Sequence, residues 1–155
     1  MIKQTDPRLD ANMNHIACAF DSVAYFRERY QHKPWTAEEL QAAWDGALKA
    51  GILSGDLNHD GDLLDAEEGE IQSWQGLADY LGCALKFLGK FAPGALEKYG
   101  NFVIAAWHND RTGFTHFVVG DHKPVEWDPI EAGSITVREG YVKSLRIFQP
   151  LVPMV

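Results

Sequence analysis

Two cysteines, Cys18 and Cys83, are all that the 155 residues contain. So few exclude a disulfide framework, and the six histidines show no His-x-x-x-His and the chain no Cys-x-x-Cys, so the spacing points to no zinc site. Positive charge is scarce too. Fourteen Lys and Arg against twenty-two Asp and Glu leave a formal charge of −8, which argues against nucleic acid or an anionic membrane as partner. No apolar run approaches a membrane span, and the opening Met-Ile-Lys-Gln-Thr-Asp-Pro-Arg has no apolar h-region. The expectation is a product that is cytoplasmic at synthesis, released on lysis or associated with a particle. No repeat, linker or low-complexity stretch interrupts the chain, so residues 1–155 are expected to form a single domain.

Apolar residues make up 46% of the chain and eighteen residues are aromatic, the composition of a globular protein. Its most informative stretch is acidic. Residues 56–67 read Asp-Leu-Asn-His-Asp-Gly-Asp-Leu-Leu-Asp-Ala-Glu. Asp56, Asn58 and Asp60 offer oxygens at every second position, Gly61 permits a sharp turn, Asp62 supplies a backbone carbonyl and Glu67 closes the shell with two oxygens. The stretch resembles an EF-hand loop, and the resemblance implies Ca2+ as cofactor. Two features depart from it. Leu64 has no ligand oxygen, and Gly51 and Gly55 stand where an entering helix would run, closer to dockerin-type modules. The alternative is an ordinary solvated acidic loop.

Helical periodicity starts at Ile16, with Phe20, Val23, Ala24 and Phe26 on one face, and ends before Pro34. Thr36 with Glu39 reads as a capping box for a second helix that Gly51 closes. A third helix is expected from about Ala66 to Gly82, with Ile71, Trp74, Leu77, Ala78 and Leu81 along one stripe. The period then shortens. Strands are expected over 84–88, 101–108, 114–120, 124–127 and 141–148, with a turn or short helix over 93–99 and a hairpin through 109–113. Helices first and strands second predict an α+β fold with an antiparallel sheet. The five tryptophans are expected to pack in the core.

Cys18 enters the first helix, His116 lies in Thr-His-Phe-Val-Val-Gly, and Asp128 in Glu-Trp-Asp-Pro. This order resembles the papain-like cysteine hydrolases, in particular their C39-like peptidase branch and small prophage-borne proteins of that fold. The resemblance implies N-terminal helices packed on a C-terminal antiparallel sheet, a peptide or peptidoglycan-like substrate, and roles for three residues. Cys18 is the nucleophile, His116 the base and Asp128 the group that orients it. Where that family has a Gln upstream and a Gly beside the cysteine, this chain has Asn12 and Asn14, and Ala19.

Each of the three also has a structural reading. Cys18 sits among apolar neighbours as a small buried residue would, His116 suits a core histidine, and Asp128 before Pro129 suits a turn. Cys83, after Gly82, reads as buried. Three functions follow from the sequence: a calcium-stabilised cysteine peptidase or amidase, a catalytically silent phage or prophage binding protein with calcium as a clamp, and a calcium-responsive regulator. A single loop disfavours the last, since sensors open paired hands.

Overall fold

A computed structural model describes residues 1–54, 70–131 and 133–155. Asp10 opens α1 (Ala11–Ile16) by accepting the Met13 N–H at 2.9 Å. The sequence predicts irregular chain up to residue 14 and a helix from Ile16; instead a separate helix ends at Ile16 and the chain breaks at Ala17. That residue caps α1 and starts α2 (Cys18–Tyr30), and it offers the new helix no side-chain cap. The N–H groups of the first turn of α2 are therefore left for other acceptors. Ahead of Pro34, α2 stops at Tyr30 and His32 takes a positive φ of 56°.

Thr36 caps α3 (Ala37–Lys49) by accepting the Glu39 N–H, and its hydroxyl meets the Glu39 carboxylate at 3.0 Å, so the expected capping residues act together. A helix running unbroken from Ala66 is not found. Ser73 caps α4 (Trp74–Tyr80), with its Oγ accepting the Gly76 N–H at 2.9 Å. Ahead of it Ile71 pairs with Leu53 in an antiparallel bridge, flanked by Ser54 N–H to Glu70 C=O and Gln72 N–H to Ile52 C=O. The helical stripe through Ile71 is thus split between a clip and a capped helix. The clip holds residues 54 and 70 side by side.

Four strands make one antiparallel sheet in the order β1-β4-β2-β3: β1 (Leu85–Phe91), β2 (Phe102–His108), β3 (Thr115–Val119) and β4 (Tyr141–Pro150). A short 3-10 turn (Leu96–Lys98) connects β1 to β2, and α5 (Ile135–Arg138) precedes β4. The strand expected over 124–127 is reduced to a single bridge, Trp127 to Val119. Pro124 has no N–H to extend the ladder. The α+β class holds, with helices packed on an antiparallel sheet.

The sheet is covered on both faces. Phe102, Ile104, Val119 and Phe148 meet Phe20, Phe26, Leu40 and Trp44 in the larger core, where Phe20 and Trp44 pack edge to face at 5.2 Å. Full burial of such a side chain is worth about 1.5–3 kcal/mol. Alternate residues on the strands (Ala105, Trp107, Val118, Leu145 and Ile147) form a smaller cluster with Val137 of α5. Trp35, Trp44 and Trp107 are buried as expected, whereas Trp74 and Trp127 are only partly covered. No helix among the described residues is long and apolar enough to cross a membrane.

Candidate active site

Cys18 is the first residue of α2, and the helix lies against β3. One hydroxyl ties the two elements at this point. Ser22 Oγ donates to the Cys18 carbonyl at 2.7 Å and approaches the Phe117 carbonyl at 3.4 Å. The neighbouring residue on β3 is His116, 5% exposed, fixed opposite Trp107 by the β2–β3 register. Its Nε2 meets Asp128 Oδ1 at 2.7 Å. That leaves Nδ1 as the ring nitrogen for the Cys18 thiol, and the acidities of the two groups are coupled.

Asp128 is held as firmly as it holds the ring. Its Oδ1 also accepts the Ile130 N–H at 2.9 Å, in the turn that its position before Pro129 suggests, and Oδ2 accepts Ser134 Oγ at 2.6 Å. The Lys3 ammonium reaches its backbone carbonyl. At 1% exposure the carboxylate has no room for water to replace these partners. The structure thus brings Cys18, His116 and Asp128 together from three separated parts of the chain.

The electrostatics favour charge separation. Burial pushes the Cys18 thiol up, but the hydrogen bond and charge of His116, joined by the N–H groups of Phe117 and Ala19, hold it below its ordinary value. Burial works against the His116 imidazolium. Its bonds to Asp128 and Cys18, and their charges, outweigh that and raise its pKa to about 9. Burial likewise raises Asp128, yet the bond and charge of His116, with Ser134 and Ile130, keep it below the usual carboxylate range. Between the lowered thiol pKa and about 9, the pair stands as thiolate and imidazolium.

Cys18 is partly exposed and opens into a cleft of about 390 Å³. Ile16, Ala19, Trp74, Phe117 and Arg146 form much of its wall. Trp74 is therefore part of a surface as well as of the packing against Phe87, Phe117 and Phe148. Of the two upstream amides, Asn14 is committed elsewhere: its Nδ2 donates to the Gln4 and Asp6 carbonyls at 2.7 and 3.0 Å. Asn12 keeps a buried Oδ1 with no partner. The N–H groups already directed at the sulfur are those of Ala19 and Phe117.

Three residues of the site have little signal in the sequence. Ser134 lies in a stretch for which the sequence predicts no element. Arg146 sits mid-strand. Asp21, one helical turn after Cys18, is fully buried with no partner for either oxygen. Burial first, and the Cys18 charge second, raise its pKa well above the ordinary value. His108 does not join the site, because its ring turns to Thr115 and Asp110. The expected calcium ligands Asp56, Asn58, Asp60, Asp62 and Glu67 lie outside the described residues.

Comparison with known proteins leaves the geometry to speak for itself: no protein-family model, no curated protein and no solved structure matches the chain.

Proposed function

We propose that this chain is a cysteine peptidase or amidase of papain-like arrangement, with Cys18 as nucleophile, His116 as acid and base, and Asp128 holding the ring. One observation carries the reading: a partly exposed cysteine opening a helix, lowered in pKa by a buried histidine that is fixed in turn by a buried carboxylate. The Cys18 thiolate attacks an acyl carbonyl, and the tetrahedral oxyanion forms near the N–H donors at the start of α2. Imidazolium His116 gives its proton to the leaving amine as the C–N bond breaks. Neutral His116 then takes a proton from water, whose oxygen attacks the thioester and releases the acid and the Cys18 thiolate. The substrate class is a peptide or peptidoglycan-like amide.

We further propose that residues 56–67 bind Ca2+ as a structural clamp. The loop's ligand pattern supports this, and so does the clip at Leu53 and Ile71, which joins the two sides of the segment. Binding free energy of such a loop adds to folding free energy.

A second reading is a catalytically silent phage or prophage binding protein of the same arrangement. The commitment of Asn14 to the N-terminal segment favours it, since no upstream amide is then shown facing Cys18. p-Nitrophenyl acetate separates the two. Hydrolase chemistry requires acetylation of Cys18 followed by turnover, with both lost in Cys18→Ala. An acetyl group that never leaves Cys18, or none at all, overturns the enzymatic reading.

A further inference from the structure

Arg146 stands on β4 in the wall of the cleft that Cys18 opens into; Glu70 is the one described carboxylate in that lining, and it forms no ion pair with Arg146. The sheet register sets it opposite Lys90 on one side and Ile104 on the other, so neither neighbouring strand offers a carboxylate. Its guanidinium lies over the Phe117 ring at 5.0 Å and the Trp74 ring at 5.6 Å. Nη1 donates to Ser144 Oγ, while Nε is buried without an acceptor, and no ion pair joins the group to any described residue.

A half-covered cation with an orphaned donor is costly unless something fills it. Every other arginine with a buried or paired guanidinium here has an evident role. Arg27 stacks on Trp35 and Arg111 pairs with Glu139. Arg146 has aromatic rings to hold it flat and, among the described residues, no anion paired with it. Burial lowers its pKa, acting against the charge.

We propose that Arg146 is the specificity determinant of the cleft and receives a carboxylate of the substrate close to the scissile carbonyl. Nη2 has no described acceptor and is not buried as Nε is, so it is the donor a carboxylate in the cleft can take in a charge-assisted hydrogen bond. The ring faces of Trp74 and Phe117 suit a flat group and disfavour a hydrated one. The substrate class is then an acyl compound carrying a free carboxylate, either an acidic side chain or a chain terminus. This rests on Cys18 being the reactive thiolate.

Two alkylating agents of nearly equal size test it. Iodoacetate carries a carboxylate and iodoacetamide does not. At mildly acidic pH the wild-type ratio of Cys18 rate constants should favour iodoacetate, and Arg146→Met should cut that ratio about tenfold, the effect of one good charge-assisted contact. Arg146→Lys, which keeps a charge, should retain part of it. Taking the ratio within each variant cancels general changes in thiol reactivity, and labelling of buried Cys83 identifies a variant that has not folded. A ratio unchanged by Arg146→Met overturns the proposal while leaving the reactive cysteine intact. Slow iodoacetamide labelling of wild-type Cys18 instead overturns the reading beneath it. Protection of Cys18 by N-acetylglutamate α-amide assigns a side-chain carboxylate, and protection by N-acetylalanine a terminal one.

Discussion

The two cysteines carry the same side chain into opposite surroundings. Cys18 opens a helix, and its sulfur meets donors: the N–H groups of Ala19 and Phe117 and the ring of His116. Cys83 follows the end of α4, and its sulfur meets the Val23 carbonyl at 3.4 Å and one donor, the Arg27 N–H, with no histidine beside it. Donors stabilise a thiolate and acceptors stabilise a thiol. Burial pushes Cys83 up to about 12, with the nearby Arg27 opposing only in part, whereas the same penalty at Cys18 is overcome. Burial alone therefore does not decide reactivity. What separates the two thiols is His116, whose hydrogen bond and charge Cys18 has and Cys83 lacks.

His116→Ala should collapse the difference most. Without the imidazolium, burial again dominates at Cys18, and its labelling by iodoacetamide in mild acid should fall on the order of a hundredfold, toward that of an ordinary thiol. Labelling of Cys83 should not change beyond any loss of stability.

Calcium should act on the other cysteine. Cys83 is reached only when the fold opens, so its labelling reports stability. Saturation at a hundred times Kd should slow Cys83 labelling by about a hundredfold in the wild type, with Cys18 little affected. Asp56→Ala should remove that protection. An equal rate with and without calcium would show that the acidic loop clamps nothing.

Asp128→Asn keeps the shape but not the charge. Cys18 labelling in mild acid should drop about tenfold, one pKa unit's worth of lost imidazolium stabilisation.

The smallest effect is on stability. Folded Asp21 has a raised pKa, so it keeps its proton where the unfolded chain has released one. Its contribution is fully present below the unfolded carboxylate pKa and is lost as pH rises above it. Asp21→Asn should therefore raise Tm near neutral pH by about 2–4 °C for each kcal/mol recovered, with no gain in acid. A gain independent of pH would mean that Asp21 is already ionised in the fold.

Much of this contrast was legible in residue order. A cysteine at the start of one amphipathic pattern, and a histidine in an alternating run before Asp-Pro, are local signals. The break at Ala17 was not, because alanine is a strong helix former and only packing interrupts it there. Nor was the true start of α4. Ile71 continues a helical stripe perfectly well, and only its pairing with Leu53 removes it. Arg146 was invisible for a related reason: its neighbours Trp74 and Phe117 come from other elements, and the sheet order that gathers them is a long-range fact. Ser134 was not singled out either: it stands ahead of α5 without capping it, and the fold uses its hydroxyl on Asp128.

The most direct test is the pH profile of iodoacetamide labelling at both cysteines of the intact protein, read by peptide mass. Cys18 should already react fast in mild acid and stay fast into mildly basic solution, while Cys83 is labelled only at the slow rate at which the fold opens. Cys18 labelling that rises only near the ordinary thiol pKa, or that tracks Cys83, would contradict this.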